Sequence, residues 1–341
     1  MNYRYLGRTG LRVSEISLGT QTFGWTTGEA DAHAMLDRYV ERGGNYLDTA
    51  DSYNGGESER ILGAWLTARR NHEDVIVGTK VFFDAKADEN SNRGGHSRKH
   101  IRNSLERSLS RLGIDAIDLY QLHCYDAGTA LDEVLQTMED LARGGKILHF
   151  GVSNFTPSVI SRMATAATFR GFGRPASLQL EYSLLVRSPE WELLPLCAEE
   201  GIGTLAWSPL AGGWLSGKYR KDARPPEDSR VGRKDRWDDQ AEQRGGERTW
   251  AILEVLERIG SQRGVPCSQV ALNWLRRKPS ISSILIGARN IDQLTQNLDC
   301  LDWNLASEEE AELDAVSDIG MPYPYSFIAR YGRKAYRDSR G

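Results

Sequence analysis

Short, almost continuously apolar runs recur along this chain at intervals of about 30 residues, each followed by an amphipathic stretch long enough for a helix. The runs are Ile16–Gly19, Asn45–Asp48, Val75–Lys80, Ile117–His123, Leu148–Ser153, Ser177–Glu181, Thr204–Ser208 and Ser283–Ile286. They lack the polar alternation of a half-solvated strand, so both faces are expected to be covered, as in a parallel sheet. The intervening stretches carry helical spacing. Met35, Leu36, Tyr39 and Val40 share one face before Gly43-Gly44, Ile61, Leu62, Trp65 and Leu66 another, and Ile101, Leu105, Leu109 and Leu112 a third that ends at Gly113. Thr156-Pro157 and Ser188-Pro189 read as helix starts with proline in the first turn. Eight such units predict an α/β fold, a (β/α)8 TIM barrel whose active site lies at the strand C-terminal ends; a doubly wound sheet gives a similar alternation. Tyr3–Leu6 and Leu11–Val13 flank a Gly7-Arg8-Thr9-Gly10 turn, an N-terminal β-hairpin expected to close the barrel bottom. The seventh interval is stretched to about 79 residues by a charged, Gly- and Arg-rich excursion over 218–248 with no fixed structure of its own, within a single domain spanning 1–341.

Charge narrows the partners. Lys and Arg total 43 against 47 Asp and Glu, a net −4, which gives no basic surface for nucleic acid or anionic membrane. No apolar run is long enough to span a bilayer, and Met1-Asn2-Tyr3-Arg4 does not open a signal peptide. The four cysteines are scattered without a CxxC, so reduced thiols and a cytoplasmic location are expected.

Asp48, Lys80 and His123 stand at the ends of three predicted strands, and Tyr53 lies just past one of them. In a barrel these ends converge on one mouth. A phenol is a poor acid at neutral pH, but a neighbouring ammonium lowers its pKa, and a buried carboxylate holds that ammonium charged and in place. A histidine beside them can orient a carbonyl. Each residue alone is better read as a cap or a solvated side chain; their joint placement reverses that and favours proton transfer to oxygen. Asp51 competes with Asp48 for the carboxylate role, and spacing does not separate them.

Other patterns carry less. Gly201-Ile202-Gly203-Thr204-Leu205-Ala206 matches a dinucleotide fingerprint, but its glycines precede a strand instead of following one, so it reads as a helix-to-strand turn. His96 and His100 have zinc-pair spacing without the catalytic glutamate and read as a solvated helix start; no metal is expected. Gly287-Ala288-Arg289 opens a helix carrying Gln293 and Asn297 on one face, a weak phosphate-site signal.

Taken together, Leu47-Asp48-Thr49-Ala50-Asp51-Ser52-Tyr53, Gly78-Thr79-Lys80, Asp118-Leu119-Tyr120-Gln121-Leu122-His123, Gly151-Val152-Ser153-Asn154-Phe155, Gln179-Leu180-Glu181-Tyr182-Ser183, Trp207-Ser208-Pro209-Leu210 and Gly287-Ala288-Arg289 resemble the aldo-keto reductase superfamily, in the family's order. The stretch from Trp207 to Tyr219 looks most like the branch of bacterial aldo-keto reductases and potassium-channel β subunits. The resemblance implies an NADP-dependent oxidoreductase that reduces aldehydes or ketones reversibly, with Asp48, Tyr53, Lys80 and His123 as catalytic tetrad and Tyr53 as general acid. It implies NADPH contacts from Gly19, Thr20, Gln21 and Asp48 near the ribose, and Ser153, Asn154 and Gln179 at the carboxamide. Tyr182 would stack under the nicotinamide. Trp207, Ser208, Pro209, Leu210, Gly212, Lys218 and Arg230 would lie along the pyrophosphate, with 218–248 as a clasp. Gly287, Arg289, Gln293 and Asn297 would hold the 2′-phosphate and adenine. Where many members have a Lys-Ser pair at that phosphate this chain has Ala288-Arg289; a guanidinium still pairs with a phosphate, so NADPH is chosen over NADH.

The same resemblance leaves a second reading, an NADPH-binding regulatory protein like the channel subunits, which lack the tetrad histidine that this chain retains. A metal-dependent sugar-isomerase barrel lacks its ligand set. The substrate, a small carbonyl compound, would be chosen by mouth residues Phe23, Trp25, Tyr53, Phe82, His123 and Tyr125, with Phe83 beside them. Arg93, Arg98 and Lys99 read equally as contacts for an acidic substrate or as a solvated loop. The tail, 321–341, carries Tyr323, Tyr325, Phe327 and Tyr331, which would wall the pocket, pack on the core or meet another subunit. Monomer and homo-oligomer both remain open.

Overall fold

The computed structural model describes residues 1–84, 92–221, 224–227, 229, 232 and 243–332. A hairpin, β1 (Tyr3–Tyr5) with β2 (Arg12–Ser14), precedes eight parallel strands: β3 (Ile16–Gly19), β4 (Tyr46–Asp48), β5 (Ile76–Val81), β6 (Ile117–Leu122), β7 (Ile147–Ser153), β8 (Ser177–Glu181), β9 (Gly203–Trp207) and β10 (Ser283–Ile286). They close in sequence order, β10 pairing with both β9 and β3, into a (β/α)8 barrel. The eight expected strands are all present, with no end shifted by more than one residue.

Both strand faces are buried, as the unbroken apolar runs predicted, but they serve different cores. Outward residues such as Leu47, Val77, Tyr120, Val152 and Leu178 pack under the helices. Inward residues Tyr46, Ile76, Leu119, Leu205 and Leu285 form a separate cluster with Leu6 and Val13, so the hairpin plugs the barrel bottom with its own apolar side chains. The plug fits tightly: a Cβ on Gly7 would sit 2.5 Å from the Gly201 carbonyl oxygen and 2.6 Å from the Gly203 nitrogen. Gly201 caps the helix before β9 and Gly203 opens the strand, as their order relative to the strand required.

Helices α1 (Glu29–Glu41), α2 (Glu57–Arg69), α3 (Arg98–Leu112), α4 (Leu131–Arg143), α5 (Pro157–Arg170) and α6 (Leu193–Glu200) follow successive strands. In α3 the Ser97 hydroxyl caps the His100 N–H, worth about 1 kcal/mol. The helix buries Ile101, Leu105, Leu109 and Leu112 and stops at left-handed Gly113, as the sequence predicted. Ser188-Pro189 starts only a short 3-10 turn, Ser188–Glu190, and the helix proper begins at Leu193. The seventh interval holds α7 (Glu247–Arg263) and α8 (Cys267–Arg276), so its downstream part is helical, not loop. About half of the 218–248 excursion, including 233–242, lies outside the described residues. Its flanks dock through Arg220–Glu257, Lys221–Glu247 and Arg244–Glu181 ion pairs. Then come α9 (Ile291–Leu298), α10 (Ser307–Ser317) and α11 (Tyr325–Tyr331). The α11 rings Phe327 and Tyr331 are exposed, so the described part of the tail is not core; Tyr325 donates to Glu192.

Candidate active site

Because strand side chains alternate, the inward parity that places Tyr46 and Ile76 in the barrel floor also turns Asp48, Lys80, Gln121 and Gln179 inward above them. Lys80 is fully buried, and its three ammonium donors are spent on Asp48 Oδ2 at 2.5 Å, the Thr49 carbonyl at 2.7 Å and the Tyr53 hydroxyl at 3.2 Å. Burial alone would push this ammonium down; the Asp48 carboxylate and the Tyr53 phenol hold it above the ordinary lysine value. The structure thus separates the two aspartates. Asp51 is also buried but turns away from Lys80, with one carboxylate oxygen lacking a partner among the described residues. Burial, then the charge of Glu59, raises its carboxyl to about 7.

Tyr53 sits on a short 3-10 turn whose next residue, Asn54, is left-handed at φ 52°. Asn54 fastens the turn by donating to the carbonyls of Gln21 and Phe23, at 3.0 and 2.7 Å. The His123 ring meets the Tyr53 ring edge-on, centroids 5.9 Å apart. Burial, then the nearby Lys80 charge, keeps the imidazole pKa well below its usual range. His123 is therefore neutral and has one N–H to offer a ligand. Within the proposed tetrad, Lys80 and His123 both touch Tyr53, one by a hydrogen bond and one by its ring edge, and Asp48 reaches Tyr53 through Lys80.

An aromatic wall extends from this point. Phe83 lies 5.1 Å from His123, Phe82 4.8 Å from Phe83, and His96 5.2 Å from Phe82 and 6.3 Å from Phe155, with Tyr125 5.5 Å beyond. His96 was expected to be solvated and is instead buried among these rings, its pKa lowered to about 4 chiefly by that burial. His100 is buried too, accepting the Gly94 N–H. An unbroken hydropathy stripe could not reveal either, because polar rings do not count in it. Among the described residues no group of side chains could hold a metal ion. Asp126 ties this wall together, accepting from the His96 N–H at 2.7 Å, the Gly128 N–H at 2.8 Å and the Thr129 hydroxyl at 2.6 Å. Phe23, expected at the mouth, is wholly buried in the core under the turn that Asn54 fastens; Trp25 and Tyr125 are exposed at 45% and 37%. Arg98 pairs with Asp140 at the surface, and Arg93 with the largely buried Asp84 in a cavity that Asp51, Ser52 and Phe83 also line.

The residues proposed for the cofactor are spread along the remaining strand ends. Non-glycine residues with positive φ gather there: Asn154 at 56°, Ser208 at 54° and Ala211 at 49°, a strain that packed surroundings must hold. Asn154 donates to the His123 carbonyl and to the Ser153 hydroxyl, both at 3.0 Å. Gln179 donates to Asp48 at 2.9 Å. Trp207 ends β9 half-buried, with an indole N–H that has no acceptor among the described residues. Ser208 accepts the Gly212 N–H, and Lys218 lies exposed over the Tyr219 ring. At α9 the Asn290 side chain caps Gln293 while the Gln293 carbonyl oxygen accepts the Arg289 N–H, so part of that cluster serves as a helix cap; Asn297 is buried and Gly287 exposed.

Two further expected contact residues have their side chains engaged elsewhere. Tyr182 is buried with its ring 5.6 Å from Trp274, and its hydroxyl donates to Glu190, so it presents no face to a ligand at the mouth. Being one residue past the inward Glu181, it has the outward parity. Thr20 is fully buried, its hydroxyl held by Ser58 and the Asp48 carbonyl. Arg230 lies outside the described residues.

An aldo/keto reductase family model matches residues 15–318. The chain belongs to the aldo/keto reductase family. Protein tas of Escherichia coli is 34% identical over 95% of this chain and 99% of its own length. Norsolorinic acid reductase stcV of Emericella nidulans is 31% identical over 96% of this chain and 84% of its own. A probable voltage-gated potassium channel subunit beta of Oryza sativa subsp. japonica is 35% identical over 89% of this chain and 92% of its own. As an aldo/keto reductase the chain is an oxidoreductase of the class that acts on small carbonyl compounds. None of its described helices is long and apolar enough to cross a membrane.

Proposed function

We propose that this aldo/keto reductase is an NADPH-dependent carbonyl reductase in which Tyr53 protonates the carbonyl oxygen and Lys80, Asp48 and His123 support it. The observation that carries the reading is the Lys80 ammonium, buried, saturated and 3.2 Å from the Tyr53 oxygen. Since Lys80 donates to that oxygen, the phenol's own proton is the one it can give to a carbonyl. The cation favours phenolate, which makes Tyr53 a better acid than a free phenol. His123, neutral, supplies a hydrogen-bond donor on the other side of the same space and orients the carbonyl.

A nicotinamide dinucleotide is the cofactor this reading assigns to the ends of β7 to β10. The reading is supported by the left-handed turn through Ser208, Ala211, Gly212 and Gly213 after β9 and by Arg289 at an exposed glycine turn. Ser153, Asn154 and Gln179 would hold the carboxamide, Trp207 would offer the ring face that Tyr182 cannot, and Ser208, Leu210, Gly212 and Lys218 would follow the pyrophosphate. Gly19 and Gln21 would line the ribose side, and Arg289, Gln293 and Asn297 the 2′-phosphate and adenine. When bound, that cofactor supplies the hydride. Trp25, Phe82 and Tyr125 remain the proposed substrate contacts, and 218–248 the proposed clasp.

The test is NADPH oxidation against a panel of aldehydes, ketones and keto sugars, with NADH and Tyr53→Phe in parallel. Turnover with NADPH that Tyr53→Phe loses is the expected result. Full turnover by Tyr53→Phe overturns the acid assignment. Tight NADPH binding without turnover, together with a stable protein partner, would instead favour a regulatory role, the reading suggested by the likeness to a channel β subunit.

A further inference from the structure

The floor beneath Lys80 is polar where a barrel core is usually aliphatic. Asp48 Oδ2 faces Lys80, but Oδ1 faces down and sideways into a ring of donors. It accepts from the Tyr46 hydroxyl at 3.1 Å, from Gln121 Nε2 at 3.2 Å and from Gln179 Nε2 at 2.9 Å. Gln121 Nε2 also reaches the Tyr46 oxygen at 3.4 Å, and Gln179 Nε2 the Gln121 carbonyl oxygen at 3.4 Å. Tyr46 and Gln121 have no exposed surface, and Gln179 almost none. A neighbouring strand makes room for Tyr46: a Cβ on Gly78 would lie 2.5 Å from its hydroxyl, and Gly151 leaves space chiefly for Ser177, with Gln121 Cγ 3.3 Å from the same point. Glycine in mid-strand costs stability relative to a residue that packs, so this polar layer displaces apolar contacts that would otherwise fill the barrel.

We propose that Tyr46 and Gln121 are positioning residues that set the acidity of Tyr53 by drawing the Asp48 charge away from Lys80. The proposal rests on the carbonyl-reductase reading for its consequence in turnover, although its physical content is independent of it. Three donors on Oδ1 share the carboxylate's negative charge; Lys80 on Oδ2 is then less neutralised and acts on Tyr53 as a stronger cation. Removing one donor returns density to the Asp48–Lys80 pair, weakens the field at Tyr53 and raises the phenol's pKa. Tyr46 can serve throughout the working pH range, because burial, then the Asp48 charge, holds its phenol well above the usual tyrosine range. The charged and titratable groups around the carboxylate are Tyr46 on its own strand, Lys80 from β5, Tyr53 on the following turn and His123 after β6. Tyr39 of α1 stands behind Tyr46, donating to its backbone carbonyl.

The experiment is the tyrosinate difference titration of Tyr53 in the resting protein: ultraviolet absorbance against pH, each protein read against the same protein carrying Tyr53→Phe. Tyr46→Phe and Gln121→Met keep the volume and remove the donor to Asp48, along with the longer 3.4 Å contacts between these side chains. Each is expected to raise the Tyr53 titration by about one pH unit, and to move the alkaline limb of the reduction pH profile upward by the same amount with little change in carbonyl KM. A purely space-filling role leaves both where they are, since Phe and Met fill the same space. An unmoved titration in folded Tyr46→Phe and Gln121→Met overturns the proposal, and if one variant does not fold the other decides. A wild-type protein without turnover would refute the reductase reading alone, because the titration still reads the network.

Discussion

The Arg111 guanidinium of α3 lies 2.9 Å from the Glu59 carboxylate of α2, directly beneath the turn that carries Tyr53. Glu59 is fully buried and also accepts the Thr79 hydroxyl at 2.7 Å, next to Lys80, while Arg111 reaches the Asp51 carbonyl at 3.4 Å. Two helices and a barrel strand thus meet under the proposed acid through one ion pair. Arg111→Met would leave a buried carboxylate without its cation, a loss of about 3 kcal/mol. Denaturant melts should show that loss, and Glu59→Gln in the same protein should recover much of it. Equal stability of Arg111→Met and wild type would mean that the pair holds nothing.

Asp51 gives the fold a pH dependence of known sign. Its carboxyl is raised to about 7, by burial first and then Glu59, whereas in the unfolded chain it ionises near 3.8. The folded state therefore binds a proton that the unfolded state has lost, and stability from this group, complete below the unfolded value, is lost as pH rises toward 7. Asp51→Asn removes that slope. The difference in melting temperature between Asp51→Asn and wild type should move in the variant's favour from pH 4 to 7; a constant difference would show that Asp51 ionises normally.

Asp126 holds the two loops that face the substrate side by accepting from His96, Gly128 and Thr129. Asp126→Ala releases all three and lets His96 leave its place among Phe82 and Phe155. Carbonyl KM should rise about tenfold, the equivalent of one lost charged hydrogen bond, while NADPH affinity stays within a factor of two or so. Comparable losses in both would place Asp126 at the cofactor and not at the substrate wall.

Arg289 separates the two nicotinamide cofactors. If it grips the 2′-phosphate, Arg289→Leu weakens NADPH binding by about tenfold and leaves NADH binding unchanged. Fluorescence titration of both cofactors reads this directly. An equal loss for the two would show Arg289 acting as part of the α9 cap, to which its backbone N–H already contributes.

The barrel was legible in the sequence because strands covered on both faces leave unbroken apolar runs, and their spacing carries through to eight paired strands. Asp48, Lys80 and His123 were legible because they interrupt or end those runs. What apolar pattern could not convey was which way a residue turns. Tyr182 was placed at the mouth although it has the outward parity, and Phe23 was placed there although it is core. His96 was set in solvent although rings enclose it. Tyr46 and Gln121 looked like ordinary strand residues, one aromatic and one polar.

By itself, then, the sequence determined the eight-fold βα alternation, the hairpin that plugs it, the family and the residue types gathered at the strand ends. These follow from local periodicity and from short motifs, which survive in one dimension. Only the tertiary structure decided between Asp48 and Asp51, three residues apart, because closing the barrel turns one toward Lys80 and the other toward Glu59. The choice is one of direction in space. A buried charge takes its meaning from the partner it faces, and that partner lies on another strand.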